Sequence, residues 1–244
     1  MKFGLLVVSV VVIVLFAPDL RGAERVPVLV ELFTSEGCSS CPPADALLAS
    51  LGREQSSSAE IIVLGEHVDY WNELGWKDRF SAHQYSSRQE DYARRFGLDS
   101  VYTPQMVIDG RRQFVGNDSH EAHESIAAAA RSAKPVKITL QRDGGVLRIA
   151  ANRPGGEPAV LLLAISEDNL TTQVKAGENG GRELRHQAVV RSLRQIGVLR
   201  DGSFTGDEPL KLDSGWLRPN LKAIVFAQDP GSGAILGAAV QRLD

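Results

Sequence analysis

Cys38 and Cys41 are the only cysteines among 244 residues, and two serines separate them. A disulfide across so short a loop removes little entropy from the unfolded chain, so the pair is a poor staple. Its spacing suits thiol–disulfide exchange or metal binding instead. The flanking sequence narrows the choice. Val26 to Phe33 reads as a buried apolar strand, Thr34 to Gly37 is turn material, and Pro42 and Pro43 suit the opening turn of a helix. The cysteines therefore belong at a strand-to-helix junction. There Cys38 meets unpaired N–H groups and the positive end of the helix dipole, which favour its thiolate. Cys41, one turn further in, is placed to attack a mixed disulfide on Cys38. Ser39 and Ser40 are candidates to hydrogen-bond the Cys38 sulfur and to line the substrate site.

A second group of reactive residues follows the next strand, Ile61 to Leu64. It is His67-Val68-Asp69-Tyr70-Trp71, with Trp76 beyond. The ends of such strands face the active edge of an open α/β sheet, so His67 and Asp69 are expected near Cys38. A charged His67 would lower the thiol pKa further, and Tyr70 and Trp71 would wall a substrate groove, with Trp76 more at home in packing. Glu36 reads as a solvated loop residue. His83, His120 and His123 read as surface residues, and Gly177 to Gly181 as a tight turn.

The elements that must hold these groups can be read in order. Pro42 to Leu51 has helical composition, ended by Gly52. Ser81 to Phe96 reads as a helix stopped by Gly97. Val101 to Ile108 is a strand interrupted at Thr103-Pro104, and Asp109-Gly110 signals a hairpin into Arg112 to Val115. Asp118 or Ser119 caps a helix running to Ala133. Beyond Lys134-Pro135 the chain is mostly strand and turn, with a hairpin around 142–145, a strand at Val160 to Ile165 and a closing pair around 229–231. The expected architecture is an α/β domain over 24–134, with an aromatic insertion at about 65–96, then a smaller β-rich, sandwich-like domain over 135–244.

Val28 to Cys41 and the proline after it resemble the start of a thioredoxin fold, a mixed central sheet flanked by helices. The resemblance implies that Thr103-Pro104 is the cis-proline loop opposite the two sulfurs, with Thr103 pairing to an extended partner. It also points to Glu31 as a buried acid that accepts the proton of the resolving thiol. More narrowly, the chain resembles a family of secreted thioredoxin-like proteins known as domain of unknown function 1223. The matching pieces are Glu31 to Asp45, His67 to Trp71, Leu74-Gly75-Trp76, Tyr102 to Gln105, and Gly177 to Arg182 with Leu184 and His186. The sequence departs from thioredoxin in having Gly37 before the first cysteine and Ser-Ser between the two. Roughly sixty residues separate Cys41 from Pro104, more than thioredoxin has.

The formal net charge is -3, with no basic stripe for nucleic acid and no acidic tail. Lys2, the apolar run Leu5 to Ala17 and the small Gly22-Ala23 have the layout of a signal peptide over 1–23. Nothing later is long and apolar enough to span a membrane. The expectation is a secreted or periplasmic thiol–disulfide oxidoreductase. It needs no cofactor besides the redox-active Cys38–Cys41 disulfide. Its partners would be a protein disulfide or thiol substrate and an envelope electron donor or acceptor. One alternative is a copper carrier using Cys38, Cys41 and His67, since thiolates suit a soft ion. The other is a non-catalytic interaction module.

Overall fold

Residues 25–54 and 56–244 are described by a computed structural model; the signal peptide expected over 1–23 lies outside them. The apolar run forms β1 (Val26–Thr34), and the prolines open α1 (Pro42–Leu51). β2 (Ala59–His67) pairs in parallel with β1 along its whole length, from Val26 opposite Ala59 to Thr34 opposite His67. It is longer than its apolar stretch because the ladder carries Gly65, Glu66 and His67 with it. α2 (His83–Phe96) ends at Gly97, left-handed at φ 66°. β3 (Gln105–Ile108) and β4 (Arg112–Val115) make the expected hairpin, and Asp118 caps α3 (Ser119–Ala130) by accepting from the Glu121 N–H.

The second half is almost all strand. β5 (Lys137–Asp143), β6 (Val146–Asn152) and β11 (Ser203–Pro209) form a three-stranded sheet in the order β11-β6-β5. β8 (Leu170–Gln173) and β9 (Glu183–His186) form a small ribbon. β7 (Ala159–Glu167), β10 (Val189–Leu199), β12 (Leu221–Gln228) and β13 (Ile235–Arg242) instead join the first half. The result is one eight-stranded mixed sheet in the order β13-β12-β7-β10-β2-β1-β3-β4. The change of composition at Pro135 is therefore not a break in the sheet. β10 lies parallel to β2 at Val189 and Gly65, and the Gly65 N–H donates to the Ala188 carbonyl.

Alternation along the strands sorts side chains to the two faces. Val28, Val30 and Leu32 of β1 pack with Leu48 and Leu51 of α1 and Ile126 of α3. Leu29 and Leu64 face the other way, onto Tyr85 of α2 together with Phe226 and Ile235. The three-stranded sheet covers the second half, where Leu147 and Ile149 meet Leu163, Ile165 and Val225. The three-stranded sheet thus lies against strands that continue the first half's own sheet. Among the described residues no helix is long and apolar enough to cross a membrane.

Candidate functional site

The parallel strands β1 and β2 end together at Thr34 and His67, and the chain leaving β1 turns directly into the cysteine loop. Cys38 and Cys41 form a disulfide, with Cα atoms 5.5 Å apart. Cys41 occupies the N-cap of α1, and its carbonyl accepts from the Ala44 and Asp45 N–H groups. Ser40 Oγ lies 3.3 Å from Cys38 Sγ. Ser39 is exposed and uses its backbone instead, donating from N–H to Glu178 Oε2 at 3.0 Å.

Both cysteines are fully buried, 0% exposed. Their cover comes from the far half of the chain. The Asn179 side-chain amide donates to the carbonyls of Glu36 and Cys38, each at 2.9 Å, and Arg182 fixes Asn179 by donating to its Oδ1. Gly177, at φ +71°, packs so closely on Trp76 that a Cβ there would sit 3.0 Å from the Trp76 Cβ. Trp71 closes the other side. A Cβ on Gly37 would meet the Trp71 Cβ at 3.2 Å, so a side chain there would crowd Trp71. The Trp71 indole donates to Thr103 Oγ1 at 2.9 Å, joining the cysteine loop to the Thr103-Pro104 turn, whose peptide bond is cis. Pro104 also lies near α1: a Cβ on Gly116 would touch Leu32, Pro104 and Ala44 at once.

Beside the disulfide is a buried polar cluster that the spacing of the sequence does not announce. It holds Glu36, Asp45, His67, Asp78 and His186. His67 Nδ1 pairs with Asp78 Oδ2 at 2.6 Å, and the same carboxylate oxygen accepts the Glu36 N–H. Trp76 donates to Glu36 Oε2 at 2.8 Å, and Thr34 Oγ1 to Asp45 Oδ1 at 2.9 Å. Burial alone would lower the His67 pKa, but the Asp78 charge and hydrogen bond, helped by Asp45 and Glu36, hold it above its ordinary value. Burial would raise Asp78; its pairing with His67 and two backbone N–H groups keeps it low. Asp45 goes the other way. Burial raises its carboxyl despite His186, His67 and the Thr34 hydroxyl.

The residues expected from the sequence divide between the two sides of the sheet. Cys38, Cys41, Ser40 and His67 lie at the shared end of β1 and β2, with Trp71 packed on Gly37 and bonded to Thr103. Glu31 does not. It lies on the α2 face of β1, where Arg88 Nε and Tyr92 Oη each donate to it at 2.6 Å. Asp45, one turn into α1, is the acid beside the cysteines. Asp69 bonds Ser86 of α2 and faces His83 at 3.5 Å. Tyr70 donates to Gln89, and its burial pushes the phenol up to about 12. Glu36, read as a solvated loop residue, is wholly buried. Among the described residues no group of three or more His, Cys, Asp or Glu side chains is arranged to hold a metal ion.

The sequence profile of the family described as "Protein of unknown function (DUF1223)" matches residues 29–228, which takes in both cysteines, His186 and the cover. The chain belongs to this family. A crystal structure of a protein from Agrobacterium tumefaciens resembles this DUF1223 chain at 29% identity and a TM-score of 0.76, covering 91% of this chain and 96% of that one. The protein HBP35 of Porphyromonas gingivalis shares the fold at 17% identity and a TM-score of 0.63, covering 92% of this chain and 77% of its own. No curated protein matches the chain significantly.

Proposed function

We propose that this DUF1223 protein is an exported, thioredoxin-like thiol–disulfide oxidoreductase whose reacting group is Cys38–Cys41. The observation that carries the reading is the placement of the disulfide. It sits at the N-terminus of α1, at the shared end of β1 and β2, with Trp71 packed on Gly37 and buried Asp45 one turn into the helix. A staple across two residues has no use for such surroundings. The helix N-terminus stabilises a Cys38 thiolate, and Ser40 donates to its sulfur. Asp45 exchanges a proton with Cys41 when that cysteine leaves or attacks. The order β1-α1-β2, then α2, a β-hairpin and α3, supports the thioredoxin-like reading of the first half. Partners are protein or small-molecule thiols and disulfides of the cell envelope.

The test is catalysis and trapping. The mature protein is mixed with a disulfide-bonded peptide and glutathione, and with a reduced peptide and glutathione disulfide. The expected outcome is acceleration of exchange in one of these directions, lost in Cys38→Ser, with Cys41→Ser accumulating a mixed disulfide. No acceleration in either direction by the native protein would overturn the reading.

A further inference from the structure

His186 comes from β9, 148 positions after Cys38, yet lies in the cluster beside the disulfide. It is 2% exposed, and neither ring nitrogen has a hydrogen-bond partner. Burying a polar group without a partner is costly. The two nitrogens nevertheless face two carboxylates. Nε2 is 3.4 Å from Glu36 Oε1, which is itself without a partner, and Nδ1 is 3.9 Å from Asp45 Oδ2. Both gaps are a little longer than a hydrogen bond. A small tilt of the ring closes one or the other.

The ends of this arrangement lie in different places. Glu36 is fully buried two residues before Cys38, and its backbone shares Asn179 with the Cys38 carbonyl. Asp45 is one helical turn past Cys41 and also lines an open groove of about 500 Å³ with Pro42, Arg53, Arg182 and Arg185. An imidazole accepts a proton on one nitrogen while releasing one from the other. The remaining neighbours are fixed. His67 stands edge-on at 5.0 Å but is committed to Asp78, and Phe80 fills the third side at 5.7 Å. The charges of Arg79 and Arg191 lie over the Phe80 ring, 4.6 and 5.2 Å from its centroid.

We propose that His186 is a positioning residue that carries protons between the buried Glu36 and Asp45, the carboxyl that lies one turn past Cys41 and also lines the solvent groove. The role rests on the exchange reading above. A partner dithiol supplies the chemistry. Its thiolate attacks Cys38 Sγ, a new S–S bond forms, and the Cys38–Cys41 bond breaks with its electron pair going to Cys41. Cys41 takes a proton from Asp45; His186 restores it from Glu36, and the groove afterwards returns a proton to the cluster through Asp45. The second partner thiol gives its proton to solvent and attacks the partner sulfur in the mixed disulfide, releasing Cys38 as a thiolate. The partner leaves as a disulfide, and the protein gains two electrons and one proton, held on Cys41. Oxidation runs the same steps backwards.

The experiment follows reduction of the native disulfide by dithiothreitol in single turnovers from pH 5 to 9, with rates corrected for the dithiothreitol thiolate fraction. In the native protein the corrected rate bends within this pH interval. In His186→Gln the bend is gone and the rate at pH 6 falls about tenfold, with the urea midpoint retained. A folded variant with the native rate and bend would overturn the relay while leaving the exchange reading intact. A native disulfide inert to all thiols sinks both. If His186→Gln does not fold, the ring resonances of His186 in the native protein decide. Titration midpoints that differ between the oxidised and reduced forms support the relay; coincident midpoints overturn it.

Discussion

Glu31 and Glu66 show how little a residue type says until its face of the sheet is known. The resemblance to thioredoxin puts Glu31 of β1 at the cysteines, but strand alternation sends Val30 and Leu32 toward α1 and Glu31 toward α2. There it meets Arg88, Tyr92 and the wholly buried Glu66. Neither Glu66 oxygen has a donor, and Arg88 Nε is 3.6 Å away. Burial, reinforced by the Glu31 charge and only partly opposed by Arg88, raises the Glu66 carboxyl well above its ordinary value. A proton held by Glu66 and offered to Glu31 satisfies both acids. The native state then binds more protons than the unfolded chain from about pH 4.5 upward to the folded pKa, so stability falls as pH rises through that window. Glu66→Gln should remove this slope and leave stability at pH 7 equal or higher. Glu31→Gln, which strips Arg88 of its partner, should cost about 3–5 kcal/mol. Urea titrations of both variants at pH 5 and pH 8 check the two signs. Asp45, by contrast, was legible in principle, because a residue four after Cys41 on a helix returns to the same face. His186 was not, since no local spacing ties it to the cysteines.

Elements with a strong period were legible and those held by pairing alone were not. β1, the three helices and the β3–β4 hairpin follow from apolar runs, prolines, Asp-Gly and caps. β10 was missed because bulges between Val190 and Ser192 and between Gln195 and Gly197 break its alternation. The β8–β9 ribbon does not show in the sequence because its residues are mostly polar, and within its connection Gly177 to Gly181 reads only as a tight turn. That connection is the cover of the disulfide. Asn179 contributes two hydrogen bonds to it, and Glu178 a third at Ser39. Loosening the cover should speed attack on the disulfide without altering the groups that react. Asn179→Ala should raise the rate of reduction by dithiothreitol about 5- to 30-fold, the factor that 1–2 kcal/mol represents. An unchanged rate, measured by alkylation and mass shift, would show that access runs by another path.

The whole molecule is built around a sheet that the composition divides but the hydrogen bonds do not. Leu29, Ile62 and Leu64 from the first half pack against Ile224, Phe226 and Ile235 from the second. Asp109 in the β3–β4 turn accepts from Lys134 and from the Ile235 N–H. A fragment covering 25–134 would expose the β2 edge and this apolar face to water. It should associate or lose fixed side-chain packing, seen as a lost near-ultraviolet circular dichroism signal and no cooperative melt. A fragment that melts cooperatively at the temperature of the whole chain would establish two independent domains. The same division of labour has a temporal consequence. Asn179 follows Cys38 by 141 positions, so a ribosome releases the cysteines long before it makes the residue that seals them. Until then the pair is open to any oxidant or stray thiol it meets. Completion of the chain ends that open exposure, and from then on a thiol must displace the Asn179 cover to reach the sulfurs.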